Sequence, residues 1–309
     1  MLKQLVTQFT TAPMVGVDLG STTLKVVELA RSNGGFVLRR CTVASLEGAD
    51  ATKALKRLCA TTGLTTAQAA LGLASPEVIV RPFQFPTMPK KELQSAIQLE
   101  AEQAILNGHS PGGMAIDWHV LSPNGSDAMR GLLAVVPKEV LAERLQAARS
   151  AGLRPSVIDV EGLALWNAYW VLVGSQAPQP KTVMLVNVGA RTTNLVIAKG
   201  PDELILVRDL QLGAQGLSTD QEREWVEEVR DSLGYARSKG GLRTLDAVYL
   251  SGGGSSPGVM TALMSAVMAP VEFWNPLKQI GRDSESPAVE ESVGPLLAIA
   301  IGLALRQTT

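Results

Sequence analysis

Met14-Val-Gly-Val-Asp-Leu-Gly-Ser-Thr-Thr-Leu-Lys-Val-Val-Glu-Leu29 is the stretch that decides the fold. A β-branched run enters a small-residue turn at Gly20-Ser21-Thr22-Thr23, and a second β-branched run, Leu24 to Leu29, leaves it. That pattern specifies a hairpin and excludes the strand-to-helix junction of a P-loop, whose Walker spacing is absent as well. The same figure returns farther along: an apolar strand over Thr182 to Val188, a small-residue turn Gly189-Ala-Arg-Thr-Thr193, and an apolar strand over Asn194 to Ala198. A repeated unit of this kind implies an internal duplication. A third strand with a glycine turn is expected at Ala247 to Leu250, followed by Ser251-Gly-Gly-Gly-Ser-Ser256.

Between the two hairpins, short apolar runs alternate with segments of helical period, which is the α/β pattern. A strand is expected over Phe36 to Thr42 after the Asn33-Gly34-Gly35 turn, then a helix from about Asp50 to Thr61 with Asp50 as its cap. From Ser75 to Leu153 the texture changes. Arg81 to Pro89 is punctuated by prolines and reads as an extended connection, since each proline removes a donor and biases its predecessor toward extended geometry. Pro89 starts a helix whose Leu93, Ala96, Ile97, Ala101, Ala104 and Ile105 share one face. Two strands, near Ala115 to Leu121 and Leu132 to Val136, are followed by a helix from Pro137 to Ser150 that stops at Gly152. Together these make a small α+β module inserted into a larger one. Val157 to Val160 resumes a strand, Glu161 to Val173 is helical, and Gly174-Ser-Gln-Ala-Pro-Gln-Pro180 is the clearest linker.

The 309 residues suffice for two domains, and 46% hydrophobic with 18% charged residues excludes a disordered, coiled-coil or fibrous architecture. Lys plus Arg (28) nearly balances Asp plus Glu (29), so no electrostatic footprint for nucleic acid or an anionic membrane is present. Two cysteines, Cys41 and Cys59, and two histidines, His109 and His119, argue against a disulfide framework or a zinc cluster and fit a reducing compartment. The longest nearly uncharged run, Val293 to Leu305, is interrupted by Gly302 and is too short to span a bilayer; it reads as a buried helix. Leu2, Leu5, Val6 and Phe9 form an N-terminal apolar stripe without an export signal, which either packs on its own domain or docks on a surface. Trp166, Tyr169 and Trp170 on one helix read as core.

Hairpin tips of Gly, Ser and Thr offer backbone N–H groups and hydroxyls, and two facing tips can hold a polyphosphate between them. Asp18 at the first strand's end could supply a metal's water shell, while Lys25 and Glu28 lie farther along the exit strand, either toward the cleft or in solvent. The order Asp18-Leu-Gly-Ser-Thr-Thr, Asn187-Val-Gly-Ala-Arg-Thr-Thr, Leu250-Ser-Gly-Gly-Gly resembles the actin-like ATPase superfamily, and the early, small insertion resembles its FtsA branch. Within that branch the chain is similar, over nearly its whole length, to the PilM family of type IV pilus assembly proteins. The carrying segments are Val78-Ile-Val-Arg-Pro-Phe-Gln-Phe-Pro-Thr-Met-Pro89, Glu92 to Glu102, Ile116-Asp-Trp-His-Val-Leu121, Val136-Pro-Lys-Glu-Val140, Ala151-Gly-Leu-Arg-Pro155 with Ile158-Asp-Val-Glu161, and Val271-Glu-Phe-Trp-Asn-Pro276.

The resemblance implies an actin-like ATPase fold of two lobes with ribonuclease-H-like subdomains, an FtsA-type inserted α+β subdomain and a trimmed upper subdomain in the second lobe. It divides the chain into an N-terminal segment (1–11), a first lobe (12–76 and 155–178), an inserted module (77–154), a second lobe (179–285) and a C-terminal helix returning to the first lobe (286–309). It implies an ATP and magnesium site at Asp18, Gly20, Ser21, Thr22, Thr23 and Lys25, at Gly189, Ala190, Thr192 and Thr193, and at Gly252, Gly253 and Gly254, with Asp18 meeting the metal through water. Asn187 stands where the superfamily usually places an aspartate, and an amide cannot act as a base or carry charge to a magnesium shell. The stretch from Gly213 to Tyr235 is also short, which trims the adenine side and leaves Glu227, Glu228 and Arg230 either as a solvated helix face, the favoured reading, or as nucleotide ligands. The implied function is a cytoplasmic scaffold with no catalytic residue assigned, held peripherally at the inner membrane by partners. It would dock the N-terminal cytoplasmic tail of a PilN-like membrane protein, alongside other assembly-platform proteins.

The implied groove lies between the first lobe and the inserted module, with Phe83, Phe85, Leu93, Ile116 and Trp118 as contacts; the alternative is that these residues close the module's own core. Two further readings compete. A phosphotransferase of the same fold needs a carboxylate base toward an acceptor hydroxyl, which no segment advertises. A type II secretion GspL-like cytoplasmic domain would carry a membrane helix after it, and the chain ends at Thr309 without one.

Overall fold

A computed structural model of the protein describes residues 13–32, 35–46, 48–105, 113–122, 128–217 and 219–306. The Met1 to Phe9 stripe and His109 lie outside the described residues, as does most of the Asn33-Gly34-Gly35 turn. The first hairpin forms as its sequence specifies: β1 (Met14–Leu19) pairs antiparallel with β2 (Thr23–Ser32), which pairs with β3 (Gly35–Ser45). Helix α1 (Ala51–Thr62) is capped by Asp50, whose carboxylate accepts from the Lys53 N–H at 2.8 Å. Strand β4 (Gln68–Leu73), which the sequence did not announce, runs parallel beside β1 and is fully enclosed, completing a first sheet of order β3-β2-β1-β4-β8 with β8 (Arg154–Val160) at its edge.

The proline-spaced stretch is a strand, β5 (Ile79–Pro86), and not a free connection. It is the edge of a three-stranded sheet of order β5-β7-β6, where β6 is Met114–Ser122 and β7 is Ala128–Pro137. Prolines are tolerated there because an edge strand has one row of N–H groups without ladder partners. Helix α2 (Lys90–Ile105) lays Leu93, Ile97, Ala101 and Ile105 on this sheet. Helix α3 (Lys138–Ser150) was expected to belong to the same module. Its Ala147 and Ala148 are instead buried with Leu55 and Leu58 of α1 and Val15 and Leu71 of the first sheet. Gly152, at φ +82°, ends the turn that returns the chain to β8.

Helix α4 (Glu161–Leu172) is buried nearly all round because it lies between the lobes. Its side chains pack with Val27, Leu29 and Leu38 of the first sheet and with Val183, Leu185 and Val196 of the second. The second sheet, β11-β10-β9-β12-β13, repeats the first in its central hairpin: β9 (Thr182–Val188), β10 (Thr193–Lys199), β11 (Glu203–Leu210), β12 (Ala247–Ser251) and β13 (Val271–Phe273). Among the described residues between β11 and β12 there are only a short 3-10 turn at Ala214–Gly216 and one long helix, α5 (Thr219–Ser238), so the upper part of this lobe is small. Helix α6 (Pro257–Ala266) follows β12. After a 3-10 stretch at Glu291–Leu297, helix α7 (Ala298–Ala304) returns to the first lobe and is enclosed by β1, β2, β4 and α4. No helix among the described residues is long and apolar enough to cross a membrane.

Candidate functional site

The first hairpin and the second sheet come near each other at Glu161, whose carboxyl feels the charges of both Asp18 and Asp209. In the first, Asp18 and Lys25 are cross-strand partners, and the Lys25 Nζ lies 3.0 Å from Asp18 Oδ2 with both groups largely buried. A Cβ at Gly20 would come within 2.9 Å of that Nζ and 2.8 Å of the Thr23 carbonyl oxygen, and since the backbone carbonyl cannot swing aside as the ammonium could, the turn favours glycine there. Arg144 of α3 donates to the Leu19 carbonyl at 3.1 Å and brings a second cation to the same turn.

The second turn is tied to its surroundings. Gly189 N–H bonds Thr192 O at 2.8 Å, and the carbonyls of Gly189 and Ala190 accept from Ala214 and Gln215. Across the sheet below it runs a row of polar side chains, one from each of four strands. The Ser251 hydroxyl donates to Asn187 Oδ1 at 3.3 Å, Asn187 Nδ2 to Asn194 Oδ1 at 3.1 Å, and Asn194 Nδ2 to Asp209 Oδ1 at 2.9 Å. Asn187 therefore uses both ends of its amide as a link in a buried chain.

Glu161 joins the lobes chemically. As the first residue of α4 it is buried, and its pKa is pushed up to about 8 by burial first, then by the carboxylates of Asp18 and Asp209, against the pull of Lys25 and Arg144. Burial also raises Asp209, with the Asn194 amide opposing it. Asp18 lies in the first hairpin and Asp209 on the second sheet, so Glu161 reports that these elements converge. Glu161, Arg144 and Asp209 were not singled out in the sequence, since their meaning lies in contacts between elements far apart in the chain.

Other expected ligands are placed differently. Thr193 is fully buried, its hydroxyl donating to Leu212 O at 2.8 Å and accepting from Trp225 Nε1 at 3.1 Å, so it is a core group and not a ligand. Ser21 is exposed, and Thr22, Thr23, Ala190 and Thr192 are half-buried. Gly252, at φ +93°, spends its N–H on Pro295 O, and Gly254 spends its own on Val188 O; Gly253 faces Leu296. Glu28 turns inward to accept from Thr65 N–H and its hydroxyl. Glu227 pairs with Arg230 on the exposed side of α5, while half-buried Glu228 reaches across to Arg208 of β11. Cys41 and Cys59 are part-buried thiols pushed up to about 11 by desolvation, which fits packing and not reactivity. Burial, with help from the Arg306 charge, lowers the His119 pKa.

A second concavity of about 470 Å³ lies between the edge strands β8 and β6 under α3. Its walls are Ala115, Ile116 and Asp117 of β6, Ala134 and Val136 of β7, Leu141 and Leu145 of α3, Leu73, and the length of β8 from Pro155 to Val160. Of the expected partner contacts only Ile116 is there. Phe83 and Leu93 are 6% and 2% exposed in the inserted module's own core, Phe83 stacking on Phe85 at 5.2 Å, and Trp118 packs into that core as well. The sequence shows that these residues are apolar without showing which surface they cover.

The sequence profile of type IV pilus assembly protein PilM matches residues 16–225. Among solved structures the chain is similar to one from a PilM–PilN type IV pilus biogenesis complex, with a TM-score of 0.79 and 25% identity over 96% of this chain and 98% of that one. It is similar in fold to a Bacteroides thetaiotaomicron protein of actin-like ATPase fold and unknown function, at TM-score 0.52 and 10% identity over 88% of this chain and 93% of that one. The same holds for the ethanolamine utilization protein EutJ of Carboxydothermus hydrogenoformans, at TM-score 0.50 and 14% identity over 99% and 93%. With one hairpin repeated in each of its two larger sheets, an actin-like ATPase fold and a profile match over most of its length, the chain belongs to the PilM family of type IV pilus assembly proteins.

Proposed function

We propose that this protein is a scaffold of the type IV pilus assembly platform at the inner membrane, and that it docks the cytoplasmic N-terminal tail of a PilN-like membrane protein in the groove between β8 and β6. The observation that carries the reading is the pairing of two edge strands across an apolar trough. Both strands are edges of their sheets, so an extended segment laid along the trough would be placed to add to a sheet edge and to seat alternate side chains on Ile116, Val136, Leu141 and Leu145. Leu141→Glu places a charge in the trough on a half-buried helix position. It is expected to cut pull-down of the tail at least tenfold while costing no more than about 2 kcal/mol of stability in urea unfolding. Undiminished capture by a folded Leu141→Glu protein would remove the docking site.

The cleft fits a magnesium–nucleotide in its donors: the Lys25 and Arg144 cations stand at a glycine turn that a Cβ would obstruct. Lys25, Arg144 and the first turn would hold phosphates, Asp18 would face the metal's water shell, and the bound metal would offset the negative charge of Asp18, Glu161 and Asp209. Hydrolysis is expected to be negligible, because Asn187 is committed to the buried amide row and cannot serve as a base. Asp18→Ala is expected to abolish magnesium-dependent binding of a fluorescent ATP analogue. The competing phosphotransferase reading has one observation in its favour, the proton-carrying Glu161 in the cleft. Steady turnover of about 1 per second or faster would establish it in place of the scaffold.

A further inference from the structure

A magnesium–adenine nucleotide has a phosphate end and a base end, and the residues present fit only the first. Lys25, Arg144 and the Gly20 turn stand at the phosphate end. The turn implied for the adenosine, Gly252 to Gly254, is closed. Gly252 N–H donates to Pro295 O at 2.9 Å and Gly254 N–H to Val188 O at 2.8 Å, so neither is left for a ligand. A Cβ at Gly254 would lie 2.6 Å from Ala214 Cβ and 2.7 Å from Val188 Cγ1, so the glycine serves packing within the protein. Ala214 belongs to the 3-10 turn before α5, and this turn is laid on the second hairpin: Ala214 and Gln215 N–H donate to Gly189 and Ala190 O at 2.9 and 2.8 Å. Helix α5 has no polar group to spare either. Its Glu228 and Ser232 both bond Arg208, and the Ser232 hydroxyl donates to Glu228 O at 2.7 Å. Its exposed aromatic, Tyr235, borders Arg81 and Pro82 on the inserted module's side.

We infer that the ligand of this site is a magnesium-bound triphosphate recognised through its phosphates alone, with the base left unread. The inference rests on the phosphate site proposed above. Cations and backbone donors hold phosphate oxygens through charge, and that hold does not depend on what the triphosphate is esterified to. Choosing among bases requires more. A site rejects an analogue strongly only where the wrong ligand would leave the site's own buried polar groups unpaired. Here the candidate groups, the amides of Gly252 and Gly254 and the side chains of Arg208, Glu228 and Ser232, are paired with the protein itself. To such a site ATP, GTP and inorganic tripolyphosphate are one class of ligand.

The test titrates ATP, GTP, CTP, UTP and inorganic tripolyphosphate calorimetrically into the full chain at fixed free magnesium and ionic strength. The four nucleotides are expected to bind within fivefold of one another, and tripolyphosphate no more than fivefold more weakly than ATP. Arg144→Met, which removes one phosphate-end cation, is expected to weaken all five by a common factor of about tenfold or more. Tyr235→Ala is expected to change none of them by more than fivefold. A wider spread among the four bases, or tripolyphosphate more than fivefold weaker than ATP, overturns base indifference while nucleotide binding stands. So does a Tyr235→Ala protein that loses ATP more than fivefold and keeps tripolyphosphate. If no triphosphate binds, or if Arg144→Met weakens none of them, the phosphate site falls and this inference with it.

Discussion

Gly302→Val is expected to abolish stable folding, with a loss of at least about 4 kcal/mol in urea unfolding if any cooperative transition survives. Helix α7 is fully enclosed, and at Gly302 its backbone lies directly on α4: a Cβ there would collide with the Ala164 carbonyl and stand 3.3 Å from Ala164 Cα. Backbone cannot yield as the end of a flexible side chain can. On α7's opposite side Gly16 of β1 is pressed against Ala300 and Ala304 in the same way, so the helix has no direction in which to retreat. The shift would also break the buried hydrogen bond from Asn167 Nδ2 to the Gly302 carbonyl at 2.8 Å. Gly241 makes the control, since its Cβ would meet open space, although at φ +72° an alanine there carries some backbone strain. A Gly302→Val protein within 1 kcal/mol of the parent, with an unchanged denaturant slope, would show that the sheet and the two helices are not in contact as described.

Glu161→Gln is expected to stabilise the protein, and by an amount that grows with pH. The folded-state pKa of Glu161 is raised to about 8 from an ordinary 4.5, so folding favours its protonated form. The group's favourable contribution is complete below its unfolded pKa and is lost as pH rises through the folded one. Unfolding free energies of the parent and Glu161→Gln should therefore run parallel below about pH 4.5 and diverge between about pH 5 and pH 8, reaching on the order of 4 kcal/mol in the variant's favour. Asp18, Asp209, Lys25 and Arg144 are common to both proteins, and the difference between the curves isolates the Glu161 proton. Curves that stay parallel to pH 8 would place Glu161 in water, outside the cleft. The same substitution leaves Asp18 and Lys25 in place, so magnesium-dependent nucleotide binding should persist in it while Asp18→Ala loses it.

What was legible in the sequence was whatever is encoded locally. Both hairpins, the Asp50 cap and the small-residue C-terminal helix could be read because β-branched runs, a capping side chain and Gly302 act over a few residues. Strand β4 was missed because Gln68-Ala-Ala-Leu-Gly-Leu73 has no β-branched residue; its conformation is imposed by enclosure between β1 and β8. Strand β11 was legible but not anticipated: Glu203-Leu-Ile-Leu-Val-Arg-Asp-Leu210 carries a plain apolar run that continues the second hairpin into a third strand. In the sites, the order of the glycine turns was visible and the cleft's carboxyl cluster was not, since Asp18, Glu161 and Asp209 meet only when three separate elements pack. For the groove, its place between the first lobe and the inserted module was anticipated, but the residues chosen were those with the most apolar surface. Such residues are the ones a small module needs for its own interior, as the burial of Phe83 and Leu93 shows.

The enclosure of α7 also fixes an order of events during synthesis. The strand that begins the first lobe, β1, is among the earliest described segments to leave the ribosome, yet the surface it shares with α4 is filled by a helix made only after the whole second lobe. Until residues 298–306 arrive, the nascent first lobe has a bare apolar slot between β1 and α4, and Asp159 waits without the guanidinium of Arg306. The second lobe, whose sheet is contiguous in sequence, can mature first. A ribosome-stalled chain ending before residue 298 would thus present the later half of the protein folded and the earlier half still open to chaperones.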